Sequence, residues 1–175
     1  ILDISGSTGG GLGGQSVGDL NNDGRSDTVL DAEIAGFIAL NDQLITDNVN
    51  AQVGIIAFDH NAYPTDMDPV AAGLQIVTAP TTDADGNGVM DVEDALRLLQ
   101  WQGGTDFEPP LQGAIAFFTA LATQPGAGVL VFLSDGQSFN PGFADEVATL
   151  NGMGIDLRAF GVGGGASLPS LRGID

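Results

Sequence analysis

The sequence predicts an α/β fold, a doubly wound and mostly parallel central sheet with helices on both faces. Three observations predict it. Strand-like apolar runs alternate with stretches of helical periodicity. Several runs, such as Val129-Leu130-Val131-Phe132-Leu133, are apolar at every position rather than at every second one, as in strands buried on both faces. The 175 residues, 43% hydrophobic, suffice for the core of one ordinary domain.

Residues 1–4 read as a buried strand, and residues 8–27, rich in Gly, Asn and Asp, as a loop. From Thr28 onward, Leu30, Ile34, Phe37, Ile38, Leu44 and Ile45 recur at threes and fours, the spacing of one helix face. Thr28 suits the N-cap, and Asp31 and Glu33 suit the first turn, where the helix dipole favours acids. Residues 51–58 form a strongly apolar strand, 59–69 a connection rich in Asp and Pro, and 74–77 a short strand. An acidic loop at 81–88 leads into a helix over 92–101. Pro109 and Pro110 suit a helix start, and 111–122 is apolar around most of its circumference, as in a well-buried helix. A strand over 129–133, a helix over 144–150 and a last strand over 155–162 follow, and 163–175 is a loop with one helical turn.

Charge narrows the function. There are 23 acids against four basic residues, a net charge of −19. Nucleic acid and anionic membrane surfaces both require Lys and Arg to meet their charge, so neither is an expected partner. Cations are. With no cysteine there is no disulfide framework, and bound metal is the alternative staple. No apolar run is long enough to cross a bilayer, and no signal peptide is present. The chain opens on Ile1 inside an apolar strand and stops at Asp175, which suggests one domain, 1–175, excised from a larger protein and monomeric within it.

Sites in parallel α/β sheets lie beyond the carboxyl ends of the strands. After the first strand comes Asp3-Ile4-Ser5-Gly6-Ser7; after the fourth comes Ser134-Asp135-Gly136; between them Gly103-Gly104-Thr105-Asp106 precedes a buried helix. Together, and in this order, they resemble the metal-ion-dependent adhesion site of von Willebrand factor type A (vWA) domains: a D-x-S-x-S motif, a distant Thr and a distant Asp. The resemblance covers essentially the whole chain. It implies an antiparallel edge strand after the second strand. It also implies direct coordination of Mg2+, Mn2+ or Ca2+ by Ser5, Ser7 and Thr105, with Asp3 and Asp135 acting mainly through waters. Hydroxyls and carboxylates are hard oxygen ligands suited to these ions. A dication in a neutral inner shell keeps its charge and attracts a carboxylate from a partner, which is binding without chemistry.

Two acidic loops, within 9–27 and 81–94, carry a second signal. In the latter, Asp83, Asp85, Asn87, Asp91 and Asp94 occupy positions 1, 3, 5, 9 and 12 of a calcium loop with Gly88 at 6. Val89 would offer its backbone carbonyl, and Asp stands in place of the usual final Glu. Helix follows at once, as in the half EF-hand of dockerin modules. In the former, Asp19, Asn21, Asp23, Arg25 (through its carbonyl) and Asp27 fit. Position 12 is Leu30, which cannot ligate, so Asp31 is the expected substitute. The resemblance places the Asp83 loop at the pole opposite the adhesion site and the Asp19 loop on the same pole. Calcium in these loops would offset the entropy of ordering them, which suits millimolar-calcium, extracellular surroundings.

Other signals carry less. Residues 9–14 match G-x-G-x-x-G, but an acidic loop stands where a nucleotide-binding helix would begin. A P-loop needs Lys. Asp3 resembles the nucleophile of aspartyl phosphatases, but Ser5 replaces their general acid. His60, the single histidine, reads as a solvated loop residue, and Trp101 as packed at a helix end. The expected function is non-enzymatic, metal-dependent adhesion to a protein or other carboxylate-bearing surface ligand. The setting resembles that of large secreted bacterial adhesins of the repeats-in-toxin (RTX) kind. The alternatives are an intracellular vWA subunit partnering an AAA+ ATPase, a calcium-stapled spacer and a metal-dependent phosphatase.

Overall fold

The computed structural model describes residues 1–14, 16–136 and 138–175; Gln15, inside the 9–27 loop, and Gln137 lie outside the described residues. Strands β1 (Leu2–Asp3), β2 (Ile56–Phe58), β3 (Ala62–Pro64), β4 (Val129–Ser134) and β5 (Asp156–Gly161) form one sheet in the order β3-β2-β1-β4-β5. β1 runs parallel to β2 and β4, β4 parallel to β5, and β3 antiparallel to β2. The chain leaves β1 for β2 on one side and later takes β4 on the other. The strand order therefore reverses at β1, and a crevice opens beyond its carboxyl end.

Alternate residues of the apolar runs feed two cores. Leu2, Ile4, Ile55 and Ala57 pack with Leu30 and Ile34 of α1 (Val29–Thr46) and with Val92, Ala95 and Leu96 of α2 (Asp91–Arg97). Ile56, Phe58, Leu130 and Phe132 pack with Leu111, Ala114 and Phe118 of α3 (Glu108–Ala120). Leu150 of α4 (Ala144–Gly152) and Leu171 of α5 (Leu168–Leu171) belong to this second core. Burial on both faces is why residues 55–58 are apolar at every position, whereas of the apolar residues in β4 only Leu130, Phe132 and Leu133 are buried and Val129 is exposed. Thr28 caps α1 as expected: its side chain accepts from Asp31 N and Asp31 bonds back to the cap, a complete capping box.

The antiparallel edge strand lies where the sequence suggested only a connection. Asp59 accepts from the Asn61 amide at 2.7 Å, and Asp59 N donates to Asn61 O, a tight turn that folds β3 back on β2. Pro64 is tolerated because an edge strand need not donate from every residue. Residues 74–77 are correspondingly not a strand; near them only a bridge joins Val53 and Thr78. The helix expected over 92–101 ends at Arg97, because residues 99–101 are held in other contacts. Residues 51–55 and Val129–Val131 run past the start of β1. A cleft of about 1020 Å3 lies there, lined by Phe37, Leu44, Val53, Phe117, Leu121 and Val131 among others.

Candidate metal centre

The turn after β1 is built by its own side chains. Asp3 is buried and accepts from Ser5 N at 2.7 Å; Thr8 Oγ1 donates to Ser5 O at 2.8 Å, closing a 3-10 turn over Gly6–Gly9. That turn brings Ser7 back above Ser5, their hydroxyl oxygens 3.0 Å apart. Ser7 Oγ then donates to Asp135 Oδ1 at 2.8 Å, across 128 residues of sequence. Ser134 Oγ donates to Asp3 Oδ2, which ties the ends of β1 and β4 together. Thr105 faces the same space: a methyl group placed on Gly136 would stand 3.5 Å from Thr105 Oγ1 and 4.0 Å from Ser7 Oγ. The sequence-predicted set of Asp3, Ser5, Ser7, Thr105 and Asp135 thus gathers at one point beyond the sheet.

Thr105 is fixed from several sides. Gly6 N donates to Gly103 O at 3.0 Å, Asp106 N to Asp59 O at 2.9 Å and Phe139 N to Thr105 O at 2.9 Å. Two residues on, Phe107 is buried against Phe58 and Phe132, with ring centroids 5.9 and 4.9 Å away. Gly103 has φ +66°, and a Cβ there would come within 2.3 Å of Asp59 Oδ2, so only glycine fits this approach.

The site gathers negative charge. Burial pushes the Asp3 carboxyl up from 3.8 to about 6; hydrogen bonds from Ser134 and Ser5 oppose this, and the Asp135 charge adds to it. Burial likewise raises Asp135. Glu33 of α1 is fully buried; among the described residues neither of its carboxyl oxygens makes a well-formed hydrogen bond, although the Asp3 backbone amide lies near enough to favour the ionised form. Burial first, and then the Asp3 and Asp135 charges, hold Glu33 well above the usual carboxylate range. Among the described residues, no ion pair involves any of the three. The buried amino group of Ile1 is the cationic group that favours ionised Glu33; Asp3 and Asp135, beside three hydroxyls, form a donor set that fits a hard divalent cation.

The two acidic loops share a local geometry. Asp83 accepts from Asn87 N at 3.1 Å and Gly88 N at 3.0 Å; Asp19 accepts from Asp23 N and Gly24 N at the same two distances. Gly88 and Gly24, at loop position 6, have φ +89° and +87°. In the Asp83 loop, Asn87 Nδ2 lies 3.1 Å from Asp85 Oδ2 and 2.8 Å from Asp94 Oδ2, which draws Asp83, Asp85, Asn87 and Asp94 together. Val89 is beside them through its amide, which donates to Asn87 Oδ1 at 2.6 Å. Asp91 is not with them: it is buried at the start of α2, accepting from Thr78 Oγ1 and Ala84 N. Through Thr78 the loop sits near Val53, before β2, at the pole opposite the cluster around Asp3 and Ser7.

In the Asp19 loop, Asn21 is 4% exposed; its Nδ2 donates to Leu99 O at 2.9 Å, and its Oδ1 has no partner among the described residues. Asp23 Oδ2 accepts from Trp101 Nε1 at 3.0 Å, and Asp23 Oδ1 from the Arg25 amide at 2.8 Å. Two expected ligands are engaged elsewhere. Asp27 turns back to Gly18 N, Ser16 Oγ and Val17 N, bonds that hold its carboxyl below the ordinary range. Asp31, the expected substitute at the end of the loop, has its oxygens on Leu20 N and on the amide and hydroxyl of Thr28. Helix capping claims its acceptors first. An orphaned buried amide oxygen between two acidic residues nonetheless fits a cation at Asp19, Asn21 and Asp23. Among the described residues, no group of three or more His, Cys, Asp or Glu side chains is arranged to hold a metal. The clusters here mix carboxylates with hydroxyl and amide oxygens.

The fold has a solved counterpart in the mussel byssus. Proximal thread matrix protein 1 matches 99% of this chain and 37% of its own, at TM-score 0.64 and 20% identity. A second crystal form of it gives 0.61 and 19%. At that identity the likeness shows the fold alone, and this chain spans little more than a third of the mussel protein. An uncharacterized membrane spanning protein from Vibrio fischeri aligns over 91% of this chain and 67% of its own at 18% identity, with a TM-score of 0.41 that carries no argument. No protein-family model and no curated protein matches the chain.

Three neighbours of the site escaped the sequence reading. Glu33 was assigned to the favourable first turn of α1, yet it points inward. Its spacing, three after Leu30 and four before Phe37, places it on the buried face and was available as a signal. Asp59, 2% exposed, braces the Thr105 segment. Phe139, 80% exposed, stands against Gly104 at the rim. Nothing local marks either of these two.

Proposed function

We propose that the chain is a vWA-type adhesion module: non-enzymatic, extracellular or on a bacterial cell surface, and binding a partner's carboxylate through one divalent cation. The observation that carries this is the convergence of Ser5, Ser7, Thr105 and Asp135 over buried Asp3, beyond the strand ends where the order reverses. Ser5, Ser7 and Thr105 offer neutral oxygens. Asp3 and Asp135 supply charge from behind, held by Ser134 and Ser7. Once bound, Mg2+, Mn2+ or Ca2+ supplies a positive charge with an open face for an oxyanion. Phe139 and half-exposed His60, whose Nδ1 accepts from Gly104 N at 3.4 Å, stand at the rim to meet a protein or carboxylated polymer. Calcium in the Asp83 and Asp19 loops fits a secreted, cysteine-free adhesin of the RTX kind.

The test uses an immobilised glutamate-bearing peptide and, separately, a polyuronate surface. The chain should be retained with Mg2+ or Mn2+ and released by EDTA. The Ser5→Ala/Ser7→Ala variant, folded by circular dichroism, should pass through. Retention indifferent to both EDTA and the serines would overturn the metal-dependent reading, and no retention with either ion would instead make the chain a calcium-strapped spacer.

A further inference from the structure

One stretch of chain, residues 99–105, joins the Asp19 loop to the adhesion cluster. Its first part is tied to the loop. Asn21 Nδ2 donates to Leu99 O at 2.9 Å, Gln100 Nε2 to Asn21 O at 3.0 Å and Trp101 Nε1 to Asp23 Oδ2 at 3.0 Å. Its second part is tied to the cluster. Gln102 N donates to Ile4 O at 2.6 Å, Gly6 N to Gly103 O at 3.0 Å, and Thr105 is itself a member. Trp101 also touches the other side of the site. Its ring lies so close to Gly9, the end of the turn carrying Ser7, that a Cβ there would come within 2.8 Å. The Arg25 guanidinium covers the ring at 4.8 Å and reaches Gly9 O at 3.4 Å.

We propose that a calcium-class dication held by Asp19, Asn21 and Asp23 sets the affinity of the adhesion site, with Trp101 as the strap that transmits its presence to Thr105 and Ser7. This rests on the adhesion reading above and names its regulation. The loop calls for a ligand on two counts: its carboxylates, and the buried Asn21 Oδ1, which no group among the described residues satisfies. Without the cation, hydrogen bonds such as those to residues 99–101 must by themselves offset the entropy of ordering a polar, Gly- and Asp-rich loop. It then loosens its grip on residues 99–101, and Thr105 and Ser7 lose the brace that keeps their hydroxyls together. With the cation the brace is set, and the adhesion site needs no further ordering to take its own ion. The coupling is reciprocal, as linkage requires.

The single tryptophan is the reporter. Calcium is titrated into EDTA-stripped protein while Trp101 emission is followed. Mn2+ binding is then read from the free-ion paramagnetic resonance signal, without calcium and at the calcium level that saturates the Trp101 response. The expected result is a Mn2+ site, removed by Ser7→Ala, whose affinity rises about five- to tenfold with calcium. Asp19→Asn should lose both the Trp101 response and the gain, while Asp83→Asn in the remote loop keeps both. Trp101→Phe keeps the ring on Gly9 but loses the bond to Asp23, so it should still bind calcium by calorimetry while losing most of the gain. A Ser7-dependent Mn2+ site whose affinity ignores calcium overturns this inference and leaves the adhesion reading standing. The absence of any Ser7-dependent site overturns both.

Discussion

Asp3→Asn isolates the electrostatic cost of the buried carboxyl in the proposed metal cluster when metal is withheld. The Asp3 carboxyl is buried and its pKa is raised from 3.8 to about 6. The sign follows from proton linkage. Below about pH 4 the group is protonated in both folded and unfolded chains and costs nothing. Between about 4 and 6 the unfolded chain ionises first, so stability falls as pH rises. Above about 6 the full cost is present; at about 1.4 kcal/mol per pH unit the gap amounts to about 3 kcal/mol. Asn keeps an oxygen for Ser5 N, and the Ser134 hydroxyl can turn to accept from the new amide. In EDTA at pH 7.5 the variant should therefore be more stable than the parent by up to about 3 kcal/mol, or about 6–12 °C in Tm for a domain of this size. Near pH 3.5 the two should converge. Saturating Mg2+ or Mn2+ should reverse the order at pH 7.5, because the ion favours ionised Asp3 and stabilises only the chain that binds it. Urea unfolding across pH 3.5–8, with and without metal, reads all three arms. A parent whose metal-free stability is flat from pH 4 to 7, or an Asp3→Asn variant less stable than the parent at pH 7.5 in EDTA, would refute the reasoning.

Glu33→Leu, which removes a buried carboxyl with no well-formed hydrogen bond among the described residues, should raise metal-free stability at pH 7 by about 1–3 kcal/mol in urea unfolding; a loss would mean that the carboxylate has a partner in solution. Calcium at about 100 times its dissociation constant should stabilise the parent by about 2.7 kcal/mol per filled loop, and Asp83→Asn should lose one loop's share by calorimetry; an unchanged calcium stoichiometry would count against the Asp83 cluster. Adding three alternating valines and isoleucines ahead of Ile1 should extend β1 between residues 51–55 and Val129–Val131, with a rise in Tm as apolar surface in the cleft is covered; an unchanged Tm would show that the cleft does not accept a strand.

Much of this protein is written locally. Thr28 and Asp31 stop and start chain in their own neighbourhood, so the capping box was legible. Strands that are apolar at every position announced a sheet covered on both faces. The D-x-S-x-S turn shapes itself, because Asp3, Ser5 and Thr8 bond within six residues of one another. The sequence by itself therefore determined the α/β class, the self-bonded turn from Asp3 to Thr8 and the matched geometry of the two acidic loops around Asp19 and Asp83. Tertiary structure decided the rest, since it depends on distances across the chain. The edge strand formed at Ala62–Pro64 once Asp59 turned the chain beside β2. The helix after Asp91 stopped at Arg97 because residues 99–101 found partners 77 or more residues away. Asp31 and Asp91, equally acidic on paper, were taken by helix starts rather than by the loops. Glu33 came to rest in the core within reach of the Asp3 and Asp135 charges. Periodicity and capping act over a few residues and can be read from their order, whereas desolvation and charge crowding depend on which residues the fold brings together.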